Sequence, residues 1–317
     1  MKALITGATG FVGPHLATLL LGKGAEVVAL GIRGGNMSIE ERMPREALLI
    51  DSDIRNAEEL KDLLREHRPG QIYHLAGISS PTASLRNPRL TYEVNVGGAL
   101  NLLEALRELE LRPTIVNVST AHVYASADLP GGLDEGAPVS LATPYATSKL
   151  MCETLAAHYV RAFGFQIVTV RPFNHIGPGQ TPDFVCSEFA RQISRIARKQ
   201  APAVLRTGNL EPERDFTDVR DVVEAYWTVA TRGKPGEIYN IASGQPRSIR
   251  AIVSCLCELA AVNVAVETDP ARVRSVEVMR LLGNAAKIRA LGWEPRIPLR
   301  KSLADILEYW LAQPVRE

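Results

Sequence analysis

No run of apolar residues in this 317-residue sequence reaches the length of a membrane-spanning helix, which needs about 20. Net charge is almost absent. Lys and Arg number 36 against 35 Asp and Glu, leaving +1; that balance offers no basic surface to nucleic acid or to an anionic membrane. Cysteine is scarce: Cys152, Cys186, Cys255 and Cys257 follow neither disulfide nor zinc spacing. The pair Cys255-x-Cys257 falls in an apolar helical run, where thiols serve as packing, and a reducing cytoplasm is the expected compartment. Repeats and low-complexity segments are missing too. The chain starts directly on a strand pattern that runs into a turn, so no signal peptide is expected. His74 has no companions at ligand spacing, so no metal is expected. What remains is an ordinary globular composition, 46% apolar and 22% charged, long enough for one large or two moderate domains.

Residues 2–6 read as a short buried strand, and Gly7-Ala-Thr-Gly10-Phe11-Val12-Gly13 follows it, leading into an amphipathic helix over 14–23. A strand, a glycine turn and a helix start let a pyrophosphate approach the backbone and sit on the helix dipole. Further strands are expected at 25–30, 47–50, 71–76, 114–118 and 166–170, with helical patterns between them. That alternation predicts an α/β fold with a doubly wound parallel sheet, binding ligands off the carboxyl ends of its strands. An acid usually ends the second strand where the ribose 2′-hydroxyl of NAD is held. Here no acid lies between Glu26 and Glu40, and Arg33 stands at that place. Its planar fork suits a 2′-phosphate, so NADP(H) is the expected cofactor, with NAD(H) left open.

Tyr145 and Lys149 sit four apart at the start of a helical stretch, which puts them on one helix face. An ammonium held beside a phenol is expected to lower its pKa from about 10. Such a tyrosine can exchange a proton with a carbinol oxygen near neutral pH.

With the glycine turn, the Tyr-x-x-x-Lys pair and Ser119-Thr120 behind a strand, the chain resembles the extended short-chain dehydrogenase/reductase family. The resemblance implies an NAD(P)-dependent oxidoreductase with Thr120, Tyr145 and Lys149 as catalytic residues; Ser119 is the alternative to Thr120. It implies that Gly7, Gly10, Phe11, Val12 and Gly13 hold the cofactor, together with Asp53-Ile54 beside the adenine, Leu75-Ala76-Gly77 over it, Asn95, Tyr145, Lys149 and Pro172. It also implies a homodimer through helices near 99–109 and 146–163. From about residue 177 the chain turns to Pro/Gly loops and arginine-rich helices. The expected division is a dinucleotide-binding domain of 1–174 with a return segment at 215–244. Residues 175–214 and 245–317 would form a smaller, mostly helical nucleotide-sugar domain.

Arg171-Pro-Phe-Asn174-His-Ile-Gly-Pro-Gly-Gln180, Arg214-Asp-Phe-Thr-Asp-Val-Arg-Asp221 and Tyr239-Asn-Ile-Ala-Ser-Gly244 resemble the family's GDP-4-keto-6-deoxy-D-mannose reductases. That resemblance implies C4 ketone reduction of a GDP-linked 6-deoxy sugar, as in GDP-D-rhamnose synthesis. Asn174, Arg214, Arg274 and Glu277 would bind the substrate with Thr120. Arg274-Ser-Val-Glu277 departs from the Arg-Pro-x-Glu pattern by Ser275, which leaves the loop shape and the choice of GDP over TDP or CDP open. Three alternatives stand beside it: a GDP-mannose 4,6-dehydratase, a nucleotide-sugar 4-epimerase and a non-catalytic cofactor-sensing module. A dehydratase needs a carboxylate beside the threonine, where this chain has Ala121 and His122.

Overall fold

The computed structural model describes residues 1–32, 42–125, 129, 131–270 and 278–314. Its centre is a seven-stranded sheet in the order β10-β6-β5-β4-β1-β2-β3. These strands are β1 (Lys2–Thr6), β2 (Glu26–Gly31), β3 (Leu48–Asp51), β4 (Gln71–His74), β5 (Thr114–Val118), β6 (Gln166–Pro172) and β10 (Ile238–Ile241), and every pairing between them is parallel. The expected doubly wound sheet is therefore present. Both faces are covered, and the sequence shows why: in β1, Ala3 and Ile5 enter one core while Leu4 enters the other, and in β2 Val27 and Ala29 oppose Val28 and Leu30. A strand buried on both faces must be apolar throughout. Each fully buried Leu or Ile contributes about 1.5–3 kcal/mol.

The strand order reverses between β1 and β4, which opens a crevice at their carboxyl ends. The Val12–Gly22 helix leaves β1 there and packs on the Val219–Arg232 helix. Across the crevice stands the 20-residue Pro144–Phe163 helix. Its start is written locally: Thr143 accepts the Ala146 N–H at 3.1 Å, and Pro144 fills the first turn, where a missing N–H costs nothing. Gly164, at φ 68°, ends it in the left-handed region.

A third core joins the Val185–Ala197, Ile249–Ala260 and Leu299–Ala312 helices. Beside it lies a small sheet of β11 (Pro246–Ser248), β9 (Glu213–Asp218) and β13 (Arg280–Leu281), with β7 (Asn174–Ile176) also paired to β9. The 246–317 stretch thus holds strands as well as helices, including β12 (Ala265–Thr268) paired with β8 (Val204–Thr207). Residues of the same tail, Leu281, Ala285, Ile288 and Trp293, also enter the first core of the main sheet. A two-residue strand such as Arg280–Leu281 has no periodicity to betray it.

Asp215 ties these parts together. Its side chain is fully buried and accepts from the Ser243 amide (2.8 Å), the Ser243 hydroxyl (2.6 Å), the Gly244 amide (2.9 Å) and the Gly283 amide (3.3 Å). One carboxylate thereby joins β9 to the segment after β10 and to the turn after β13. Removing it strands three backbone donors. Asp215→Ala should cost at least about 2 kcal/mol in urea denaturation. A loss below about 0.5 kcal/mol, the size of an ordinary surface substitution, would contradict this linkage.

Candidate active site

A cavity of about 570 Å³ fills the crevice. One wall is the glycine turn. Gly7 has φ +67°, and a Cβ there would lie 2.6 Å from the Ala76 backbone; one on Gly13 would lie 1.9 Å from the Ala8 carbonyl oxygen. Both glycines are required by close backbone approach. The helix begins at Val12, earlier than the sequence pattern suggested, so its open N–H groups and positive dipole end face the cavity. Gly10, Phe11, Val12, Ile54, Leu75, Ala76, Gly77 and Pro172 also line it.

Thr120, Tyr145, Lys149 and Asn174 meet on the other wall. Tyr145 and Lys149 are buried, and the Thr120 side chain, which accepts the His122 amide at 3.2 Å, lies next to the tyrosine hydroxyl. Lys149 Nζ donates to the Val118 carbonyl at 2.8 Å. Ser119 lines the same wall, but its hydroxyl donates to Glu153, so the hydroxyl facing Tyr145 is that of Thr120. Burial pushes the Tyr145 phenol up to about 12, opposed by its bond to Thr120. This corrects the expectation that Lys149 lowers it: here loss of hydration around the phenolate is the larger effect. Burial in turn pulls the Lys149 ammonium below its usual range, with Cys152 and Glu153 opposing. A tyrosine that stays protonated at neutral pH is suited to giving a proton rather than taking one.

Asn95 stands behind this wall rather than in it. It lies in a π-helical turn, Glu93–Gly97, that leads into the Gly98–Glu108 helix. The bulge turns its buried amide toward the neighbouring loop. Its Oδ1 accepts the Ile78 amide at 2.7 Å, and its Nδ2 donates to Ser148 Oγ at 2.9 Å. Asn95 therefore fixes the Gly77–Ile78 loop against the Tyr145 helix. Asp53 is also not part of the wall: its carboxylate is engaged by Arg55 at 2.9 Å, and Ser52 and Arg55 take its place on the lining. Arg214 is not itself on the lining; it stands on β9 in register with Leu281, which is, and donates to the Glu213 carbonyl at 2.8 Å. Arg33, Arg274 and Glu277 lie outside the described residues.

Sequence reasoning missed Ser52, Arg55, His122 and Gln180 as lining residues. Gln180 closes the stretch Arg171–Gln180 that carried the resemblance, which was the available signal. Three buried acceptors on the lining have no hydrogen-bond partner: Ser52 Oγ, Asn174 Oδ1 and Gln180 Oε1. Unpaired buried polar atoms are costly unless a ligand or water completes them. Together with the backbone cradle at Gly7–Gly13, they fit a bound dinucleotide and a polar substrate. Among the described lining residues the charged ones are Arg55 and Lys149, and none is aspartate or glutamate.

The sequence matches the GDP-mannose 4,6 dehydratase family over residues 4–306. The chain belongs to that family, one of the extended short-chain dehydrogenases/reductases. It is 35% identical over 320 residues to GDP-6-deoxy-D-mannose reductase of Pseudomonas aeruginosa, spanning 100% of this chain and 99% of that protein. Among solved structures it resembles RMD from Pseudomonas aeruginosa complexed with NADPH, with a TM-score of 0.86 and 33% identity over 98% of this chain and 99% of that one. It also resembles the UDP-glucose 4-epimerase of Thermus thermophilus in complex with NAD, with a TM-score of 0.88 and 28% identity over 98% and 99%. The family is one of enzymes, which removes the ground for a purely sensing module.

The glycine cradle generates a test within this family. A methyl group on Gly13 must displace the Ala8 backbone, and overpacking of that kind costs about 1–3 kcal/mol. Gly13→Ala should weaken NADPH binding, followed by fluorescence, by about tenfold or more. Unchanged affinity would mean that the turn does not hold the dinucleotide.

Proposed function

We propose that this protein uses NADPH to reduce the C4 ketone of a GDP-linked 4-keto-6-deoxy-hexose, giving GDP-D-rhamnose or a close relative. The observation that carries the reading is the cavity wall itself. Thr120, Tyr145 and Lys149 are assembled for proton delivery to a carbonyl oxygen, while no carboxylate is found among the described lining residues. Elimination of water from C5 and C6 requires a carboxylate beside the threonine. Ala121 is buried there, and His122 packs edge-on to Tyr145, ring centroids 6.1 Å apart. Ketone reduction has no such requirement. The 35% identity to a GDP-6-deoxy-D-mannose reductase over the whole chain supports the same substrate class.

In this mechanism the glycine cradle and the helix start would hold the cofactor pyrophosphate, with Ser52 and Arg55 available to its adenosine and Gly77 to its nicotinamide half. A bound NADPH supplies the hydride. Thr120 Oγ1 and the Tyr145 hydroxyl hold the ketone oxygen, and the tyrosine donates its proton to that oxygen as charge develops there. Lys149 stabilises the phenolate left behind. Asn174 and Gln180 offer acceptors to sugar hydroxyls. Arg33 is proposed to choose NADPH over NADH, and Arg214, Arg274 and Glu277 to hold the GDP moiety. Residues 1–174 with 215–244 form the proposed dinucleotide domain; 175–214 and 245–317 form the proposed nucleotide-sugar domain. Four free cysteines, Cys152 and Cys186 of them buried, suit a reducing cytoplasm.

The proposed assembly is a homodimer through the Gly98–Glu108 and Pro144–Phe163 helices. Leu100 is 41% exposed, Met151 43% and Phe163 39%, apolar side chains on these two helices that a second copy would cover. Light scattering at micromolar concentration should give the dimer mass; a monomer would contradict this interface.

The reading is tested by offering GDP-mannose, GDP-4-keto-6-deoxymannose and TDP-4-keto-6-deoxyglucose separately with NADPH. Oxidation of NADPH is expected with the GDP-linked ketone alone. A 4-keto product from GDP-mannose would make the protein a dehydratase, and turnover of the TDP sugar alone would overturn the base. Tyr145→Phe should lower kcat by about 10²–10⁴-fold with NADPH affinity retained; a rate within about threefold of the parent would remove the tyrosine from the proton step.

A further inference from the structure

Beneath the site lies a polar cluster that the mechanism leaves unused. Glu153 follows Tyr145 and Lys149 by one more helical turn on the same face and is buried with them. Its carboxylate is gripped by the Arg171 fork, Nε at 3.0 Å and Nη2 at 2.7 Å, and receives the Ser119 hydroxyl. Arg171 belongs to β6, donates also to the Glu135 carbonyl at 3.3 Å, and lies over the Tyr124 ring at 4.8 Å. Tyr124 in turn donates to Asn240 Oδ1 at 2.6 Å on β10. One carboxylate thus pins the Tyr145 helix to β6 and to the end of β5. That end carries both the Val118 carbonyl, which accepts from Lys149, and Thr120, which meets Tyr145.

A buried ion pair is weak evidence of added stability, because removing two charges from water offsets their attraction. An apolar pair of the same size would fill the space as well, so the charges call for another role. The groups around Lys149 supply it. On its own helix these are Tyr145, Cys152 and Glu153; from β4 comes His74, and from β6 Arg171, which is tied to Glu153. His74, held by Thr6 at 2.8 Å, has its pKa lowered to about 3 by burial and by Lys149, so it is neutral. Cys152 is likewise kept neutral, burial raising its pKa. Among these groups the one formal anion is Glu153.

We propose that Glu153 is a positioning residue for the Tyr145–Lys149 pair. Clamped by Arg171 and Ser119, it sets the end of β5 against the catalytic helix and supplies the negative charge that keeps Lys149 an ammonium in a dry site. The proposal rests on the reductase reading only through the role of that pair, and its main test needs no turnover. Lysine-labelled protein is titrated by NMR, with Lys149→Arg to assign the signal. Glu153→Gln keeps the shape and removes the charge. The Lys149 midpoint should fall by about one pH unit or more, the effect of losing a nearby opposite charge. Because Glu153→Gln leaves Arg171 buried without its counter-ion and can impair folding, the double variant Glu153→Met/Arg171→Met is titrated alongside, and the same direction of shift is expected. A midpoint within about 0.3 unit of the parent in whichever of the two folds would overturn the proposal. In turnover, losing the ammonium earlier on the pH scale should move the alkaline limb of kcat to lower pH, with KM for NADPH and sugar within about twofold. A rise in KM with an unmoved pH limb would instead mark Glu153 as a packing residue and likewise overturn it.

Discussion

The structure depends on holding a phenol and an ammonium side by side where water cannot reach them. Burial favours the neutral form of each, raising Tyr145 to about 12 and lowering Lys149. For the tyrosine this is useful, since a proton donor must carry its proton at working pH. For the lysine it is a cost, offset by the Val118 carbonyl at 2.8 Å and opposed by Cys152 and Glu153. The same dryness strengthens every interaction aimed at charge that develops on the substrate oxygen.

Backbone shape places those groups. The crevice exists because the strand order reverses between β1 and β4, and its floor is close-fitting enough that Gly7 and Gly13 admit no side chain. The π-helical turn at Glu93–Gly97 turns Asn95 so that one amide secures both Ile78 and Ser148. Asp215 performs the corresponding service on the far side, gathering β9, the end of β10 and the turn at Gly283 on one carboxylate. These are polar groups with all their partners in place, and such networks favour one arrangement over near alternatives.

Much of this was legible in the sequence. The parallel sheet followed from the alternation of strand and helix patterns, and the cavity wall from the Gly7–Gly13 turn and the spacing of Tyr145 and Lys149. What escaped depends on three-dimensional contact. The direction of the Tyr145 shift is set by burial, which spacing alone does not give. Asp53 matched a motif, yet its carboxylate is taken by Arg55, two residues on, and Ser52 faces the cavity instead. Strands as short as Arg280–Leu281 and a π-turn within a helical pattern leave no periodic signal. Thr120 was separable from Ser119 only once Glu153 was seen to hold the Ser119 hydroxyl.

The central claim is that hydride leaves an exchangeable cofactor and stays on the sugar, where an epimerase or dehydratase would return it. The most direct measurement supplies NADPH deuterated at the transferring position together with GDP-4-keto-6-deoxymannose, and follows cofactor oxidation and the isotope content of the product. The account predicts one NADPH consumed and one deuterium fixed at C4 for each product formed. Product formed with no net oxidation of NADPH, or without deuterium at C4, would contradict it.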